Sequence, residues 1–370
     1  MQTKRQVFPY EIDEASYNRF EQKYNMLYRR LWDKSLPTYG KMFEYNIDKH
    51  INSGEDGYSR IDFALVAAGW TVYEKFPFAF TWRREHLVDI GYGVDWMREK
   101  YPVIDLKTFT AKVKKAAKFY GASLVGIANV DTKWIYKTGF VRPAATSETD
   151  SKDIIRKGDA SVSILETPIE LPKGVDKVIV MAIEMDQIAI STAPAQPASA
   201  AAAVGYSKMA FVIACLGEFI RNLGYRAIQC GNDTALSIPL AIDAGLGALG
   251  RNGLLLTPEF GPRVRICKVF TDMPLMADDI NISFIKKVKE VCRTCYKCAD
   301  ACETDAITKE MDPTFEPASI SNNSCVKKYY VDVEKCFDFW IENSGDCGNC
   351  IAACPFSKIQ NFSNSSEFWK

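Results

Sequence analysis

Nine of the twelve cysteines of this chain lie between positions 292 and 354, and their spacing is typical of metal ligands. The run "CRTCYKCADAC" has the spacing C-x2-C-x2-C-x3-C, and "CGNCIAACP" has C-x2-C-x3-C. The two runs contain Cys292, Cys295, Cys298, Cys302, Cys347, Cys350 and Cys354. Disulfide frameworks are typical of small secreted domains, whereas such short gaps in a 370-residue chain indicate bound metal.

The x2-x2-x3 run has the bacterial ferredoxin spacing, in which the fourth cysteine ligates the other of two clusters. The first cluster therefore needs one cysteine from the second run. The second cluster lacks one ligand, which we assign to Cys336, set apart from Cys347 by an expected loop. The predicted sets are Cys292, Cys295, Cys298 and Cys354 for an outer cluster, and Cys302, Cys336, Cys347 and Cys350 for an inner one. Zinc prefers isolated C-x2-C pairs, so the spacing favours two [4Fe–4S] clusters over structural zinc.

Composition excludes several classes of function. Lys and Arg number 46, as do Asp and Glu, so the formal net charge is zero and no electrostatic footprint for nucleic acid is present. The most apolar stretch, residues 200–220, contains Lys208 and Glu218, which favours a buried helix over a membrane span. Residues 1–14 lack the apolar segment of a signal peptide, so we expect either a cytoplasmic protein or a leader that was removed.

Apolar periodicity predicts an α/β core that positions the cysteine runs. Helices are expected at 107–120, at 202–223, which would be the longest, and as a short helix at 235–245. Apolar, β-branched runs predict strands at 121–130, 176–185, 226–230 and 264–272. The expected organisation is an N-terminal wrapping segment at 1–105, the α/β core at 106–290 and a ferredoxin-like iron–sulfur module at 291–370.

The segment "GLGALG" places Gly245, Gly247 and Gly250 in a formal G-x-G-x-x-G pattern. A dinucleotide site would need a strand before this pattern and a helix after it. The preceding residues are helical in pattern, and "RNGLLLTPEFGP" cannot form a useful helix. We therefore predict that these glycines allow the backbone to approach a large flat cofactor.

The chain resembles the reductive dehalogenases, which are corrinoid and iron–sulfur enzymes that use organohalides as electron acceptors. The likeness is carried by "GYSKMAFVIACLGEFIRNLGY", by "AGLGALGRNGLLLTPEFGPRVRICKVFTDMPL" and by the cysteine module with "CGNCIAACPFSK". It implies a nitroreductase-like α/β core that holds a corrinoid (cobalamin) in the base-off state. In agreement, the sequence lacks a D-x-H-x-x-G cobalamin motif and has only two histidines, His50 and His86.

The resemblance also implies a catalytic set. Tyr206 of "GYSKM" matches the family's proton donor, and Asn232 of "QCGND" and Arg265 of "GPRVRI" match its partners. Cleavage of a carbon–halogen bond leaves a carbanion or radical that must gain a proton. A guanidinium would stabilise the phenolate that remains, and an amide could orient the hydroxyl or the substrate. Taken without the family, Tyr206 and Arg265 would be ordinary buried residues with satisfied partners.

The substrate of such an enzyme is a small chlorinated alkane or alkene, so aromatic side chains should line its pocket. Candidates are Trp340, in the segment between Cys336 and Cys347, together with Trp96 and Phe80. The resemblance further implies that the protein performs the terminal step of anaerobic organohalide respiration. The expected partners are a low-potential electron donor and a small membrane anchor protein, with a homodimer also compatible. The expected location is the outer face of the cytoplasmic membrane, or the cytoplasm if the protein is never exported.

Two alternatives stay open at this point. The related epoxyqueuosine reductases share the corrinoid and both clusters but act on transfer RNA, which the neutral charge disfavours. A non-catalytic, ferredoxin-type electron carrier would leave the aromatic N-terminal part of the chain unexplained.

Overall fold

The computed structural model describes residues 6–7, 9–41, 46–75, 99–141 and 165–370. The helices are α1 (Met26–Arg29), α2 (Ile47–Ser53), α3 (Arg60–Gly69), α4 (Thr71–Lys75), α5 (Leu106–Phe119), α6 (Gln187–Ser191), α7 (Gln196–Asn222), α8 (Ser237–Asp243), α9 (Ile282–Thr294), α10 (Lys297–Asp300), α11 (Val333–Glu342), α12 (Asn349–Ala352) and α13 (Ser365–Phe368). Short 3-10 helices span Gln22–Tyr24, Thr132–Trp134 and Pro355–Ser357.

The strands are β1 (Gln6–Val7), β2 (Tyr10–Glu11), β3 (Leu124–Asn129), β4 (Thr138–Val141), β5 (Leu165–Pro168), β6 (Lys177–Glu184), β7 (Ala227–Cys230), β8 (Ala248–Leu249), β9 (Leu255–Leu256) and β10 (Val264–Thr271). A four-stranded antiparallel sheet in the order β3-β6-β10-β7 forms the centre of the core. The other strands pair as the hairpins β1-β2, β4-β5 and β8-β9.

Helices cover both faces of this sheet. Side chains alternate along β6, so Ile179 and Met181 pack against α5 and α7, whereas Val178 and Val180 pack against α8. Because neither face meets water, the strands are continuous apolar runs in the sequence. The prediction of an α/β core is confirmed, as are its central strands and the helices at 106–119 and 237–243.

Helix α7 begins earlier than the sequence indicated. It starts at Gln196, where Pro197 occupies the first turn, a position that tolerates the missing amide hydrogen. The run "ASAAAA" (198–203) gives no contrast between apolar and polar positions, so periodicity could not show this extension. Tyr206 therefore lies nearly three turns inside the helix, and not one turn from its start as the predicted beginning at residue 202 would place it.

By length and composition α7 could cross a membrane, but 61% of its most apolar window is buried within the protein. Its buried side chains include Met209, Ile213 and Leu216, which are in the same apolar cluster as the central strands. This burial agrees with the predicted core helix.

Buried arginines connect the core to the C-terminal module. The Arg263 guanidinium donates to the carbonyl oxygens of Met185 (2.7 Å) and Ser357 (3.1 Å) and pairs with Glu184. Arg251 donates to carbonyl oxygens of the first cysteine run. These contacts fix the cysteine-rich module against the sheet, although the predicted domain boundaries themselves stay a prediction.

Candidate active site

Tyr206 lies on the face of α7 that points toward the start of β10. The residue before it is Gly205, and a Cβ atom built there would lie 2.8 Å from Cγ of Arg265. Glycine inside a helix costs roughly 0.5–1 kcal/mol relative to alanine, so it marks a place where something must come close. Here the missing side chain lets Arg265 pass beside the helix and reach the Tyr206 ring.

Asn232 lies in the loop after β7, and its Nδ2 donates to the Tyr206 hydroxyl oxygen at 2.7 Å. The loop is fixed on several sides. The Lys268 ammonium donates to the Gly231 carbonyl at 2.5 Å, and the Gly231 amide donates to Asp233 at 2.8 Å. Thr234 has a φ of 69°, an uncommon conformation for a residue with a side chain, which these contacts help to hold.

The ammonium of Lys268 is buried beneath this loop, where burial lowers its pKa while Cys230 and Asp233 act in the opposite direction. Burial likewise raises the pKa of Asp233, and the charge of Lys268 opposes that rise. The Tyr136 hydroxyl donates to the Asn232 carbonyl at 3.3 Å. Asn232 itself is exposed, so the buried residues beneath the loop hold an accessible side-chain amide in place.

Arg265 is close to both Tyr206 and the cysteine module. Its guanidinium carbon lies 5.1 Å from the centre of the Tyr206 ring. Nη2 lies 3.5 Å from Oδ2 of Asp346, the residue before Cys347. Burial raises the pKa of Asp346, and the Arg265 charge counteracts this. The three residues predicted from the resemblance are therefore brought together, and Arg265 also contacts the residue that precedes Cys347, a predicted ligand of the inner cluster.

Two further aromatic residues pack on Tyr206 and were missed from the sequence. Trp70 is stacked on it, with ring centres 5.0 Å apart and planes inclined by 26°, and Tyr73 meets it edge-on at 5.3 Å. Ser207 holds this segment in place, because its hydroxyl donates to the Gly69 carbonyl and accepts from the Tyr73 amide. Such a contact leaves no trace in local periodicity; Gly69, which packs against Ala203, was the available signal.

The segment between Cys336 and Cys347 is helical in its first part. Cys336 lies on α11, which begins with the side chain of Asp332 accepting from the amides of Glu334 and Lys335. The expectation of a loop is wrong here. An apolar stripe on α11 packs against the N-terminal segment and makes the helix favourable.

Electrostatic interactions divide the cysteine thiols into two groups that coincide with the predicted sets, and their role as cluster ligands stays a prediction. The thiols that influence one another electrostatically are Cys292, Cys295, Cys298 and Cys354 in one group, and Cys302, Cys336, Cys347 and Cys350 in the other. One influence crosses between the groups, that of Cys298 on Cys350, so the two groups are adjacent. Cys325 is in neither group.

Burial raises the thiol pKa to about 12 at Cys298, Cys336 and Cys347 and to about 11 at Cys354. Thiols of this kind lose their protons when iron binds them. In the described part of the chain, no three His, Cys, Asp or Glu side chains converge tightly enough for a single metal ion. Backbone amides of Ala306 and Asn349 point at the sulfurs of Cys302 (3.3 Å) and Cys347 (3.5 Å).

The three glycines of "GLGALG" are closely approached by the protein's own backbone. A Cβ at Gly247 would lie 2.0 Å from the Leu256 carbonyl oxygen, and one at Gly245, where φ is 74°, would lie 2.5 Å from that of Asp279. A Cβ at Gly250 would meet Asn252 and Leu256. Helix α8 precedes the segment and the β8-β9 hairpin begins within it, so the strand and helix that a dinucleotide site needs on either side are not formed here. Cofactor binding at these glycines stays a prediction.

The predicted substrate-pocket residues are only partly described. Trp96 and Phe80 lie outside the described residues. Trp340 packs in an apolar cluster with Met26, Leu36 and Phe337, on the face of α11 that contacts the N-terminal segment of the chain. Packing with these neighbours is sufficient to explain this tryptophan as a core residue, and its role in a substrate pocket stays a prediction.

Buried polar atoms without a hydrogen-bond partner gather around residues 343–349. They are Gln196 Oε1, Arg265 Nε, Ser344 Oγ and Asn349 Oδ1. Gly345 connects them in space, since a Cβ there would lie 2.8 Å from Gln196 Oε1, and Asp346 pairs with Arg265. Unsatisfied buried polar atoms are rare in proteins, so these four atoms need a polar partner, either water or a bound ligand.

Comparison with known proteins decides the family. A family model described as "Reductive dehalogenase subunit" matches residues 165–275, and one described as "4Fe-4S dicluster domain" matches residues 291–358. The tetrachloroethene reductive dehalogenase of Dehalobacter restrictus (strain DSM 9455 / PER-K23) is 40% identical over 270 residues, which cover 68% of this chain and 48% of that protein. The chain belongs to the reductive dehalogenase family.

Other relatives agree with this family assignment. The tetrachloroethene reductive dehalogenase of Sulfurospirillum multivorans is 39% identical over 318 residues, covering 82% of this chain and 62% of that protein. The fold matches the solved catabolic reductive dehalogenase NpRdhA with a TM-score of 0.66 at 19% identity, covering 97% of this chain and 44% of that one. The chain spans about half the length of the first curated relatives it matches. The dicluster match includes all eight predicted cysteine ligands.

Proposed function

We propose that the chain acts as a corrinoid-dependent reductive dehalogenase, an oxidoreductase that removes halogen from small chlorinated alkanes or alkenes. The observation that carries this proposal is the convergence of Tyr206, Asn232 and Arg265 beside Asp346 and Cys347. A proton donor with its partners thus lies next to an electron-transfer module. The names of its curated relatives support a chlorinated ethene as the first substrate to test.

The eight cysteines would hold two [4Fe–4S] clusters in the sets predicted from their spacing. Electrons would enter at the outer cluster and pass to the inner one, whose ligands Cys336 and Cys347 flank the segment that carries Asp346. Amide hydrogens directed at the sulfurs of Cys302 and Cys347 would stabilise the reduced inner cluster.

The residues between Tyr206 and the inner cysteines fit a corrinoid. A corrin ring carries amide side chains at its edge, and these could satisfy Gln196 Oε1, Ser344 Oγ, Asn349 Oδ1 and Arg265 Nε. When bound, the corrinoid would supply a low-valent cobalt centre that can reduce a carbon–halogen bond.

The protein's own contribution to the reaction would be a proton. Replacement of halogen by hydrogen consumes an electron pair and one proton and releases halide. The Tyr206 hydroxyl accepts a hydrogen bond from Asn232 Nδ2, so its own proton is available for donation to the substrate carbon. The Arg265 guanidinium over the ring would stabilise the phenolate until water returns the proton.

The physiological role follows from the family resemblance and belongs to the same proposal. The enzyme would perform the terminal step of organohalide respiration and receive electrons from a low-potential donor. A small anchor protein would hold it at the outer face of the cytoplasmic membrane.

The decisive experiment is anaerobic purification of the chain with cobalamin present, followed by metal analysis, absorption spectra and halide-release assays. We expect cobalt and iron in the protein, and chloride release from tetrachloroethene, trichloroethene or chlorinated alkanes with a low-potential reductant. Chloride release by cobalt-free protein would contradict the proposal. So would corrinoid-loaded protein that releases no halide but reduces epoxyqueuosine in transfer RNA, or that only transfers electrons.

A further inference from the structure

Arg251 is a buried cation without a carboxylate partner among the described ion pairs. Its side chain is only 1% exposed. The guanidinium donates to the carbonyl oxygen of Cys292 through Nη2 (2.6 Å) and Nε (3.0 Å). It also donates to the carbonyl oxygens of Thr308 (2.8 Å) and Glu310 (2.7 Å). Every one of these acceptors is a neutral backbone group in the cysteine module.

Aromatic rings cover the remaining faces of this guanidinium. Its central carbon lies 4.7 Å from the centre of the Tyr296 ring and 4.1 Å from that of Tyr329. Removing a charged group from water is unfavourable even after the protein relaxes, and dipoles and rings offset only part of this penalty. A negative charge nearby would explain why a full positive charge is kept in this place.

The outer cluster would be such a charge. Four thiolates give a [4Fe–4S] cluster a net negative charge, and reduction adds one more negative charge. We propose that Arg251 raises the reduction potential of the outer cluster by stabilising its reduced form electrostatically. Arg251 would be a positioning and tuning residue, since it contacts a ligand residue through the backbone and takes no part in the reaction.

The position of Arg251 makes the expected effect selective. The guanidinium donates to the carbonyl oxygens of Cys292 and Arg293 and lies against the Tyr296 ring, all within the run that carries three ligands of the outer cluster. Among the hydrogen bonds described for Arg251, none reaches Cys302, Cys336, Cys347 or Cys350 of the inner set. Loss of the charge should therefore change one potential and leave the other in place. A residue that merely ties the core to the module would have no such selectivity.

This inference rests on the dicluster domain and not on dehalogenation, so it can be tested whatever the substrate proves to be. Arg251→Gln keeps a donor for the Cys292 carbonyl but removes the charge, and Arg251→Lys keeps the charge with fewer hydrogen bonds. Both potentials are measured in each reconstituted protein by redox titration followed by electron paramagnetic resonance. Iron and sulfide content provide the check on cluster assembly.

In Arg251→Gln we expect the reduced-to-oxidised ratio of the outer cluster at a fixed potential to fall at least about tenfold, equivalent to about 59 mV for one electron. The inner cluster should keep its potential, and Arg251→Lys should stay within about threefold of the parent. Three results would overturn the proposal: an unchanged outer potential in the Gln variant, equal shifts in both clusters, or selective loss of the outer cluster, which would indicate a structural role.

If the Gln variant does not fold, a charge can be placed beside Arg251 while the arginine remains. The Thr308 hydroxyl accepts a hydrogen bond from the Glu310 amide, and the side chain of either Asp or Asn could accept the same hydrogen bond. The Thr308 side chain is half-buried. Thr308→Asp should make the outer potential more negative than Thr308→Asn, with the inner potential unchanged. Identical outer potentials in this matched pair would show that charge at the Arg251 site does not reach the cluster.

Discussion

The Asn232 side-chain nitrogen lies 2.7 Å from the Tyr206 hydroxyl oxygen, and the direction of this hydrogen bond bears on which proton can leave. Because the amide donates, the phenol oxygen is the acceptor and the phenolic hydrogen is not consumed by this contact. The same amide would remain bonded to the oxygen after the proton has gone. An amide is neutral and cannot take the proton back, so it assists donation without competing for it.

Replacing Tyr206 with phenylalanine should therefore abolish most halide release while leaving the cofactors bound. Loss of a general acid typically lowers the rate about 10²–10⁴-fold. The measurement is chloride release per bound cobalt, with iron content and absorption spectra to verify the cofactors. Tyr120→Phe is the matched control, because Tyr120 packs against Phe119 and against Phe219, which lies near the C-terminal end of α7, away from Tyr206. Full activity in Tyr206→Phe would exclude this residue as the proton donor.

The parts of the site that could be predicted are those with local signals. Short cysteine gaps restrict the ligand sets, and the quoted motifs placed Tyr206, Asn232 and Arg265 in one group, which the structure brings together. Apolar, β-branched runs and helical periodicity likewise predicted the central strands and helices. These signals arise within one element, so they survive in a single sequence.

The parts that could not be predicted depend on contacts between distant segments. Trp70 stacks on Tyr206 from the junction between α3 and α4, 136 positions away in the chain, and nothing in "AAGWTVY" points to its partner. The helical state of residues 333–342 depends on packing against Met26 and Leu36. Asp346 forms its ion pair only because β10 brings Arg265 beside it.

The buried ammonium of Lys268 should be needed for the shape of the Asn232 loop. In Lys268→Met the Gly231 carbonyl loses its 2.5 Å donor while staying buried, which costs roughly 1–3 kcal/mol of unfolding free energy. We also expect lower halide release, because Asn232 would no longer be held against Tyr206. Ser237→Ala, which removes only the other partner of the ammonium at 3.0 Å, is the control and should have the smaller effect. Equal activity in the Met variant and the parent would contradict a positioning role.

The assignment of Cys336 to the inner cluster predicts a selective loss. Cys336→Ser should lower the iron content toward half of the parent value and remove the signal of the inner cluster, because one of four thiolates is missing. Cys325→Ser is the matched control and should keep both clusters, since Cys325 lies outside both groups of interacting thiols. The measurement is iron and acid-labile sulfide per protein together with electron paramagnetic resonance of the reduced state. Loss of a cluster in the Cys325 variant instead would reassign the fourth ligand.

The buried carboxyl of Asp243 should make stability depend on pH in a defined window. Burial raises its pKa to about 6, although hydrogen bonds from Tyr10 (2.9 Å) and Trp134 (3.0 Å) act to lower it. An unfolded aspartate titrates near 3.9, so between these values the folded state binds the proton more tightly. The stabilisation is complete below about pH 4 and is lost as the pH rises through about 6.

Asp243→Asn should therefore remove part of the fall in thermal stability between pH 5 and pH 7.5, because an amide does not titrate. Its hydrogen-bonding pattern remains feasible, since the Tyr10 hydroxyl can donate to the Pro239 carbonyl and accept from the new amide. The measurement is the unfolding midpoint across this range under anaerobic conditions. Asp176→Asn serves as the control, because the side chain of Asp176 is 71% exposed. If Asp243→Asn and Asp176→Asn show the same pH dependence as the parent, the titration of Asp243 is not coupled to folding.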